Sequence, residues 1–277
     1  MNEKKKNEIR WAVFVPAFAL TLLAAVVGIV SNKTLTTLSN RFFTWSLDSF
    51  GWLYQIISLV VLLVTLVMLF SKVGDITLGG KEAKPKYPFW TWFAMTLTGG
   101  VATGIVSWGV NEPLIYFGNI YGELKQLGIE PFSAEAARFA IGRCFYNWTF
   151  IPYAMYALTG VLVAYMYFNK KQQLNVTSTL VPLFGEKIKT GFVSDVIDTL
   201  SMLAIILGLT SGLTMCIVLL TTGLTSSYGI PSTLPLFIGL GVAIIAMFTL
   251  SSYVGLDKGL QKLSGINAWF YYGLLIL

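Results

Sequence analysis

The chain has 277 residues, of which 55% are hydrophobic and only 12% are charged. Soluble domains usually carry about 25% charged residues, so this composition excludes an ordinary soluble protein and indicates an integral membrane protein. The formal net charge of +6 does not indicate a nucleic-acid partner, because the basic residues are scattered among loops.

Apolar runs of about 20 residues mark helices that cross a bilayer. The sequence contains such runs at residues 12–30, 50–70, 89–109, 139–168, 193–221 and 234–255. A seventh begins near Asn267 and is still apolar at Leu277, and about 11 residues are too few to cross ~30 Å of hydrocarbon. We therefore expect either a fragment or a chain that something else completes. The first run is long for a signal peptide, so we expect an uncleaved span.

Lysine and arginine concentrate in alternate loops, and the side richer in them is the cytoplasmic side. The poorer side carries Lys33, Arg41, Lys125 and Arg138. The richer side carries Lys4, Lys5, Lys6, Arg10, Lys72, Lys81, Lys84, Lys86, Lys170, Lys171, Lys187, Lys189, Lys258 and Lys262. This pattern predicts a multi-pass protein of the cell membrane with a cytoplasmic N-terminus.

Two segments between the spans are distinctive. The outer segment 31–49 mixes aromatic and polar residues and could lie flat at the membrane surface, although an ordinary aromatic belt is the simpler interpretation. The cytoplasmic segment 169–192 has basic ends around a short apolar piece that contains Pro182 and Gly185. That composition predicts a short helix or turn along the membrane.

The third span ends in "TGGVATGIVSWGVNEP", residues 98–113, which is rich in glycine and small polar residues. Glycine loosens a helix by about 1 kcal/mol relative to alanine, so Gly99, Gly100, Gly104 and Gly109 make local unwinding cheap. Unwinding frees carbonyl oxygens for a hard cation such as Na⁺, and small side chains let a substrate touch the backbone. Close helix packing is the alternative, because Gly100 and Gly104, like Gly208 and Gly212, have small-xxx-small spacing.

Glu112 follows this stretch, and a carboxylate near the end of a span is costly unless it is paired or near water. Arg143, near the start of the fourth span, is a possible partner. In the alternative, both residues lie at the outer interface and are solvated.

The fourth span contains "NWTFIPYAMY", residues 147–156. Trp148, Pro152 and Tyr156 are spaced by four residues and would share one face of an ideal helix, which Pro152 should kink. Two aromatic rings without a charge between them could hold a quaternary ammonium group by cation–π attraction. Tyr153 points elsewhere on an ideal helix and is a weaker candidate. Packing or an interfacial belt is the simpler interpretation of these aromatic residues alone.

Enzymatic chemistry is not indicated. The chain has no histidine, no activated nucleophile and no clustered membrane carboxylates. Cys144 and Cys216 lie in separate apolar runs without metal-ligand spacing. We therefore predict that the protein is not an enzyme.

Four local patterns cover nearly the whole chain in order: "WGVNEPL" (108–114), "NWTFIPYAMY" (147–156), "STLVPLFGEK" (178–187) and "GLDKGLQKLS" (255–264). Together they resemble the betaine/carnitine/choline transporter (BCCT) family. The resemblance implies an all-α, polytopic membrane protein with part of a leucine-transporter-type inverted-repeat fold. Residues 1–277 would then form a single transmembrane domain that stops in the seventh helix. Residues 12–88 would form two peripheral helices and a loop, and residues 89–277 most of the first five-helix repeat. The aromatic box would be incomplete without the family's eighth span.

The resemblance also implies roles for particular residues. Trp148 and Tyr156 match aromatic residues that contact a trimethylammonium group, and Tyr153 stands where the family often has tryptophan. Thr98 and Val101 match positions whose backbone carbonyls bind Na⁺ in sodium-coupled members.

The sequence also departs from the family. Ile205 and Leu209 replace threonines that hold a second Na⁺ in some members, which predicts that this second site is absent. Asn267 and Ala268 occupy the region where some cation-independent exchangers have an arginine. Ala102 and Thr103 alter the glycine pattern itself.

These observations predict a secondary active transporter of glycine betaine, choline or carnitine. Its partners would be a small quaternary ammonium substrate and the lipid bilayer. Na⁺ would be the coupling ion and there would be no other cofactor. Proton coupling is less supported, because residues 89–111 contain no ionisable side chain. A sodium-independent exchanger and a non-transporting membrane scaffold or sensor remain alternatives. Family members are often homotrimers, although no feature of this sequence marks a trimer interface.

Overall fold

A computed structural model describes residues 9–100, 103–255 and 259–276. All the regular structure in these ranges is helical, which confirms the predicted all-α class. The helices are α1 (Trp11–Val30), α2 (Asn32–Phe70), α3 (Phe89–Gly100), α4 (Thr103–Phe117), α5 (Glu123–Leu127), α6 (Ala134–Trp148), α7 (Phe150–Phe168), α8 (Val181–Phe184), α9 (Phe192–Tyr228), α10 (Leu234–Val254) and α11 (Gln261–Ile276).

The first two helices are separated by Ser31 alone. Its side chain caps α2 by accepting a hydrogen bond from the Thr34 backbone N–H. The 39 residues of α2 are about 58 Å long at 1.5 Å per residue, nearly twice the hydrocarbon thickness. The expected outer segment 31–49 is therefore mostly the first half of this helix. No proline interrupts residues 32–70, so helix propagation continues through the polar stretch.

The third predicted span is helical on both sides of residues 101 and 102, which lie outside the described residues. The next described helix, α4, begins at Thr103 and continues to Phe117, beyond the expected end at 109. Most of the glycine-rich stretch is therefore regular helix, and Pro113 is accommodated inside α4. The predicted local unwinding is therefore not found within residues 103–113.

The fourth span is interrupted between α6 and α7. Thr149 has φ −98° and ψ −104°, outside the helical region, so the predicted kink is confirmed as a break. It lies three residues before Pro152 because the proline ring clashes with the carbonyl of the residue four positions earlier, Trp148. That residue is the last of α6.

The segment after α7 forms short helices, as its composition predicts. Residues Thr177–Leu180 and Glu186–Lys189 are single 3₁₀ turns on either side of α8. Gly185 ends α8 with φ +74°, a conformation that favours glycine.

The last helices differ from the sequence prediction mainly in their ends. α9 continues to Tyr228 instead of 221, α10 agrees closely, and α11 begins at Gln261, before Asn267. Among the described residues, five helical stretches are long and apolar enough to cross a membrane: Trp11–Val30, Asn32–Phe70, Ala134–Phe168, Phe192–Tyr228 and Leu234–Val254. The predicted multi-pass character is confirmed.

Contacts divide the chain into two compact units. The first comprises Met1–Ala83 and Phe145–Leu207, and in it α2 packs on α7 and α1 packs on α2. The second comprises Lys84–Cys144 and Gly208–Leu277, and its main helix pair is α3 with α11.

Candidate functional site

The aromatic candidates belong to the first unit. Trp148 is the last residue of α6, whereas Tyr153 and Tyr156 lie in the first two turns of α7. Their exposed fractions are 45%, 59% and 77%. Because the helix is broken at Thr149, ideal helical spacing does not extend from Trp148 to Tyr156. The prediction that the two rings share one continuous helix face is therefore wrong.

The break nevertheless gives these rings an unusual backbone. Proline has no N–H, so Pro152 cannot donate the usual helical hydrogen bond to the Trp148 carbonyl. The backbone N–H and the side-chain hydroxyl of Thr149 both donate to the Phe145 carbonyl, at 3.1 and 2.7 Å. On the other face of α7, Ala154 is buried, and its carbonyl lies 3.4 Å from the Thr65 hydroxyl of α2. Thus α7 is packed against α2 while Tyr153 and Tyr156 are exposed.

The cation candidates belong to the second unit. Thr98 lies in the last turn of α3, half-buried against α11. Its hydroxyl donates to the Ser264 carbonyl at 3.4 Å and accepts from the Asn267 amide at 3.3 Å. Val101 lies outside the described residues, so the pair of carbonyls expected to bind Na⁺ remains a prediction.

We call the α3–α11 contact the seam. Ala94, Ser264 and Ala268 are buried there, and such small residues let two helices approach closely. Aromatic rings also meet at this contact: Trp90 lies 5.4 Å from Trp269 and 6.2 Å from Tyr272 between ring centroids. The start of α3 contacts later residues of α11 than the end of α3 does, so the two helices run in opposite directions. The alternation of loop charges instead predicts that both helices start on the same side of the membrane.

The glycines do not support close packing as their common role. Among the described residues, no heavy atom outside the local backbone lies within 4 Å of a Cβ added at Gly99, Gly109, Gly208 or Gly212. Gly100 ends α3 and Gly104 lies in the first turn of α4. Their roles at a substrate remain predictions.

Glu112 lies inside α4 and is buried, so the alternative of a solvated carboxylate is wrong. Arg143 donates to Glu123 Oε1 at 2.9 Å, and its guanidinium lies 6.0 Å from the Tyr116 ring centroid. Sequence reasoning missed Glu123 as a partner, because it belongs to the short helix α5 between the spans. The pairing of Arg143 with Glu112 stays a prediction.

A polar network that the sequence did not indicate lies at one end of the first unit. Arg10, just before α1, donates to Asp198, to Asp195 Oδ1 at 2.6 Å and to Ser194 Oγ at 3.1 Å. Asp198 also accepts from Asn175 and from the backbone N–H and hydroxyl of Thr177. We call these six residues the Asp198 cluster.

The Asp198 cluster is largely shielded from solvent. Asp198, Thr177 and Ser194 are buried, whereas Arg10 and Asp195 are partly exposed. Burial lowers the pKa of Arg10, but hydrogen bonds to Asp195 and Asp198 outweigh it and raise that pKa above its ordinary value. Arg10 is therefore held as a permanent cation. The available sequence signal was the pair Asp195 and Asp198 at the start of an apolar helix, which is costly without a cationic partner.

A second contact joins two loops of the same unit. The Asn169 side chain accepts from the Gly79 backbone N–H at 2.8 Å and donates to the Thr77 carbonyl at 3.1 Å. Arg10 and Asn175 both donate to Asp198, and Asn169 contacts the loop after α2, so the segment before α1, the loop after α2 and the segment after α7 are linked through the start of α9. The loop charges predict that these three segments share one side of the membrane.

The model of one protein family matches residues 12–277, namely BCCT, betaine/carnitine/choline family transporter. That match covers all of the helices described above except the first residue of α1. The chain belongs to the betaine/carnitine/choline transporter family. Its members are transporters, which confirms that this BCCT chain is not an enzyme.

Relatives in this family carry related solute names. The chain is 30% identical over 254 residues to an ectoine/hydroxyectoine transporter of Virgibacillus pantothenticus, covering 92% of the chain and 49% of the relative. It is 30% identical over 266 residues to the glycine betaine transporter OpuD of Bacillus subtilis, covering 96% and 51%. It is 33% identical over 264 residues to glycine betaine transporter 1 of Vibrio parahaemolyticus, covering 94% and 49%. The chain spans about half the length of these relatives.

Proposed function

We propose that this BCCT chain is part of a secondary active transporter that takes up a trimethylammonium compound such as glycine betaine, choline or carnitine. The observation that carries this proposal is the family match over residues 12–277. The relatives described as glycine betaine transporters support the class of substrate.

Exposed aromatic rings beside the α6–α7 break support a cationic, non-donating ligand. A quaternary ammonium group has no N–H, so its recognition depends on aromatic faces more than on hydrogen-bond acceptors. Trp148, Tyr153 and Tyr156 offer such faces, and the tyrosines are not covered by the helix α2 that packs on α7.

Substitution of Trp148 tests this role in the complete protein. A desolvated cation–π contact contributes about 2 kcal/mol, so Trp148→Ala should raise the KM for glycine betaine by roughly 30-fold. Trp148→Phe should have a smaller effect because a ring remains. Trp45→Ala, which removes an exposed tryptophan of α2, is the matched control. An unchanged KM in Trp148→Ala would contradict the proposed site.

The ectoine/hydroxyectoine relative favours a second candidate substrate. Ectoine is a zwitterion without a trimethylammonium group. Uptake of radiolabelled glycine betaine should therefore be measured in competition with choline, carnitine and ectoine. Stronger competition by ectoine than by choline and carnitine would replace the proposed substrate class.

We infer sodium coupling from the position of Thr98 in the last turn of α3. The Thr98 hydroxyl bonds to α11, and the backbone carbonyls expected to bind Na⁺ belong to this same end of α3. Replacement of Na⁺ by K⁺ should abolish concentrative uptake. Unchanged uptake in K⁺ would refute the coupling and leave the substrate class standing. Counterflow that persists without any ion gradient would favour sodium-independent exchange instead.

We further propose that the N-terminus faces the cytoplasm. The distribution of basic residues supports this orientation, and so do the contacts that join the three basic segments of the first unit. The contacts in the α3–α11 seam run in opposite chain directions, which argues against a simple alternation of orientation from span to span. One labelled position is therefore needed in each of the two regions. Cysteines introduced at Lys72 and Lys262 should both be protected from an impermeant maleimide in intact cells. Labelling of Lys262→Cys alone would place the start of α11 on the outer side.

A further inference from the structure

The Asp198 cluster joins three stretches of chain that are distant in sequence. Arg10 precedes α1, Asn175 and Thr177 belong to the loop after α7, and Asp195 and Asp198 lie at the start of α9. The aspartates are three residues apart, so their side chains lie on the same side of the helix, and the Arg10 guanidinium binds both. One arginine therefore bridges the first helix to the fifth predicted span.

Asp198 is the centre of this arrangement. Its Oδ2 accepts from Arg10 and from Asn175 Nδ2 at 2.9 Å, and its Oδ1 accepts from the Thr177 hydroxyl at 2.7 Å and N–H at 3.3 Å. Its exposed fraction is 8%, and that of Thr177 is 0%. A carboxylate with four donors in a buried position has fixed geometry, because each donor would lose its partner if the group moved.

The surroundings reinforce this fixed position. Ser194 is fully buried, and its hydroxyl lies 3.1 Å from both an Arg10 nitrogen and the Lys189 carbonyl. Ser178 is also fully buried and donates to the Asn175 carbonyl, which holds the loop in shape. Asp195 lies in the first turn of α9, where the helix dipole favours negative charge.

Separating the residues of such a cluster requires a large free energy. Separation of a buried ion pair leaves an uncompensated charge, which is far less favourable than breaking an exposed pair. The elements joined here would therefore stay together while other parts of a transporter rearrange.

We propose that Arg10 is a positioning residue that pins the N-terminal end of α1 to the loop at 175–178 and to the start of α9. These three elements move as one body through the transport cycle. Opening of the pathway on this side takes place in other elements. The inference rests on the contacts of the first unit and on the proposed transport function, whereas the ligand-free comparison of Arg10 variants tests the contacts alone.

Distance measurements between spin labels test whether these three elements move as one body. Cys144 and Cys216 are first replaced by serine, and labels are attached at Trp11→Cys and Val193→Cys, two exposed positions outside the cluster. The complete protein should give one narrow distance distribution, both without ligand and with glycine betaine and Na⁺. Quenching of Trp148 fluorescence shows that the ligand is bound. A shift of the distance between the two conditions would overturn the proposal.

Variants of Arg10 supply a readout that does not require ligand. Arg10→Ala should broaden the distance distribution, whereas Arg10→Lys, which keeps the charge, should preserve most of it. If Arg10→Ala does not fold, Arg10→Ala/Asp198→Asn removes the uncompensated charge together with its partner and should still broaden the distribution. Arg41→Ala is the control for loss of a basic residue elsewhere in the unit. If the double variant gives a distance distribution as narrow as that of the unsubstituted protein, Arg10 does not hold these elements together.

Discussion

The Asp198 cluster of the first unit and the α3–α11 seam of the second unit hold helices together in different ways. The cluster is built from charges and short hydrogen bonds around one buried carboxylate. The seam is built from small residues, aromatic ring contacts and a longer hydrogen bond from the Asn267 amide to the Thr98 hydroxyl, at 3.3 Å. The cluster joins helix ends and loops, whereas the seam joins two apolar helices along their sides.

The difference follows from where each region lies along the helices. Apolar side chains gain little by leaving lipid for another apolar surface, so helices inside a membrane associate through close packing and scattered hydrogen bonds. Charges are tolerated near helix ends, where water is near and loops supply donors. The cluster should therefore be rigid and the seam adjustable, and substitutions should separate the two.

The largest effect is expected from Asp198→Ala. The substitution leaves Arg10 with one carboxylate and leaves the donors of Thr177 buried without their acceptor. We expect a loss of about 3 kcal/mol or more in the free energy of unfolding. Thermal unfolding in detergent, followed by the fluorescence of the native tryptophans, measures it.

Asp195→Ala is the control for this prediction. Asp195 is partly exposed, so its loss should cost about 1 kcal/mol, in the range of surface ion pairs. Equal losses of unfolding free energy in Asp198→Ala and Asp195→Ala would mean that the cluster has no buried centre. The contrast between the cluster and the seam would then not hold.

In the seam, Trp90→Ala should have an intermediate effect. Trp90 meets Trp269 and Tyr272 of α11, and each aromatic pair contributes about 0.5–1.5 kcal/mol. We expect a total loss of about 1–2 kcal/mol in unfolding free energy. Trp92→Ala is the matched control, because Trp92 lies on the same helix and its ring pairs with Phe89 of its own helix. If both variants unfold at the same temperature, the rings do not stabilise the seam.

The hydroxyl of Thr98 should contribute less to stability than to transport. Thr98→Val removes the bridge to Ser264 and Asn267, and polar bonds between membrane helices average about 0.6 kcal/mol. The KM for Na⁺ should rise a few-fold, because the Thr98 carbonyl loses its support from α11. Thr96→Val is the control, since the Thr96 hydroxyl bonds to its own helix at Trp92. An identical KM for Na⁺ in both variants would show that the contacts of the seam do not influence sodium binding.

Much of the fold could be predicted from apolar runs, because a bilayer requires long hydrogen-bonded helices whatever their partners. Helix ends were predicted less well. The polar start of α2 stays helical because no proline stops it, and the break before Pro152 appears at Thr149 because proline acts on a carbonyl four residues earlier. Periodicity applied to Trp148 and Tyr156 failed for the same reason.

The Asp198 cluster could not be predicted as a set. Arg10 and Asp198 are separated by 188 positions, and no local pattern links them. The two aspartates at the start of an apolar helix indicated that a cation was needed but not which one. Of the candidate site, the sequence identified residue types suited to a quaternary cation, while their exposure and backbone geometry required the fold.

The smallest effect is expected at Glu186, an exposed counterpart to the buried cluster. Glu186 pairs with Lys189, and it also accepts from Gln172 at 3.0 Å. The hydrogen bond from Lys189 lowers the pKa of Glu186, although slight burial opposes it. A lowered pKa gives stability that is present above the ordinary pKa of glutamate, about 4.3, and is lost as pH falls through the lowered value.

Because Glu186 is exposed, this contribution should be barely measurable in thermal unfolding and should weaken further with salt. NMR titration of the Glu186 carboxyl carbon gives its pKa directly, and Lys189→Met should return that pKa toward the ordinary value. In Asp198→Ala, by contrast, the loss of stability should persist at high salt, since the charges there are shielded from the solvent ions. A salt dependence shared by both sites would mean that the Asp198 cluster is as open to water as Glu186, and its rigidity would then need another source.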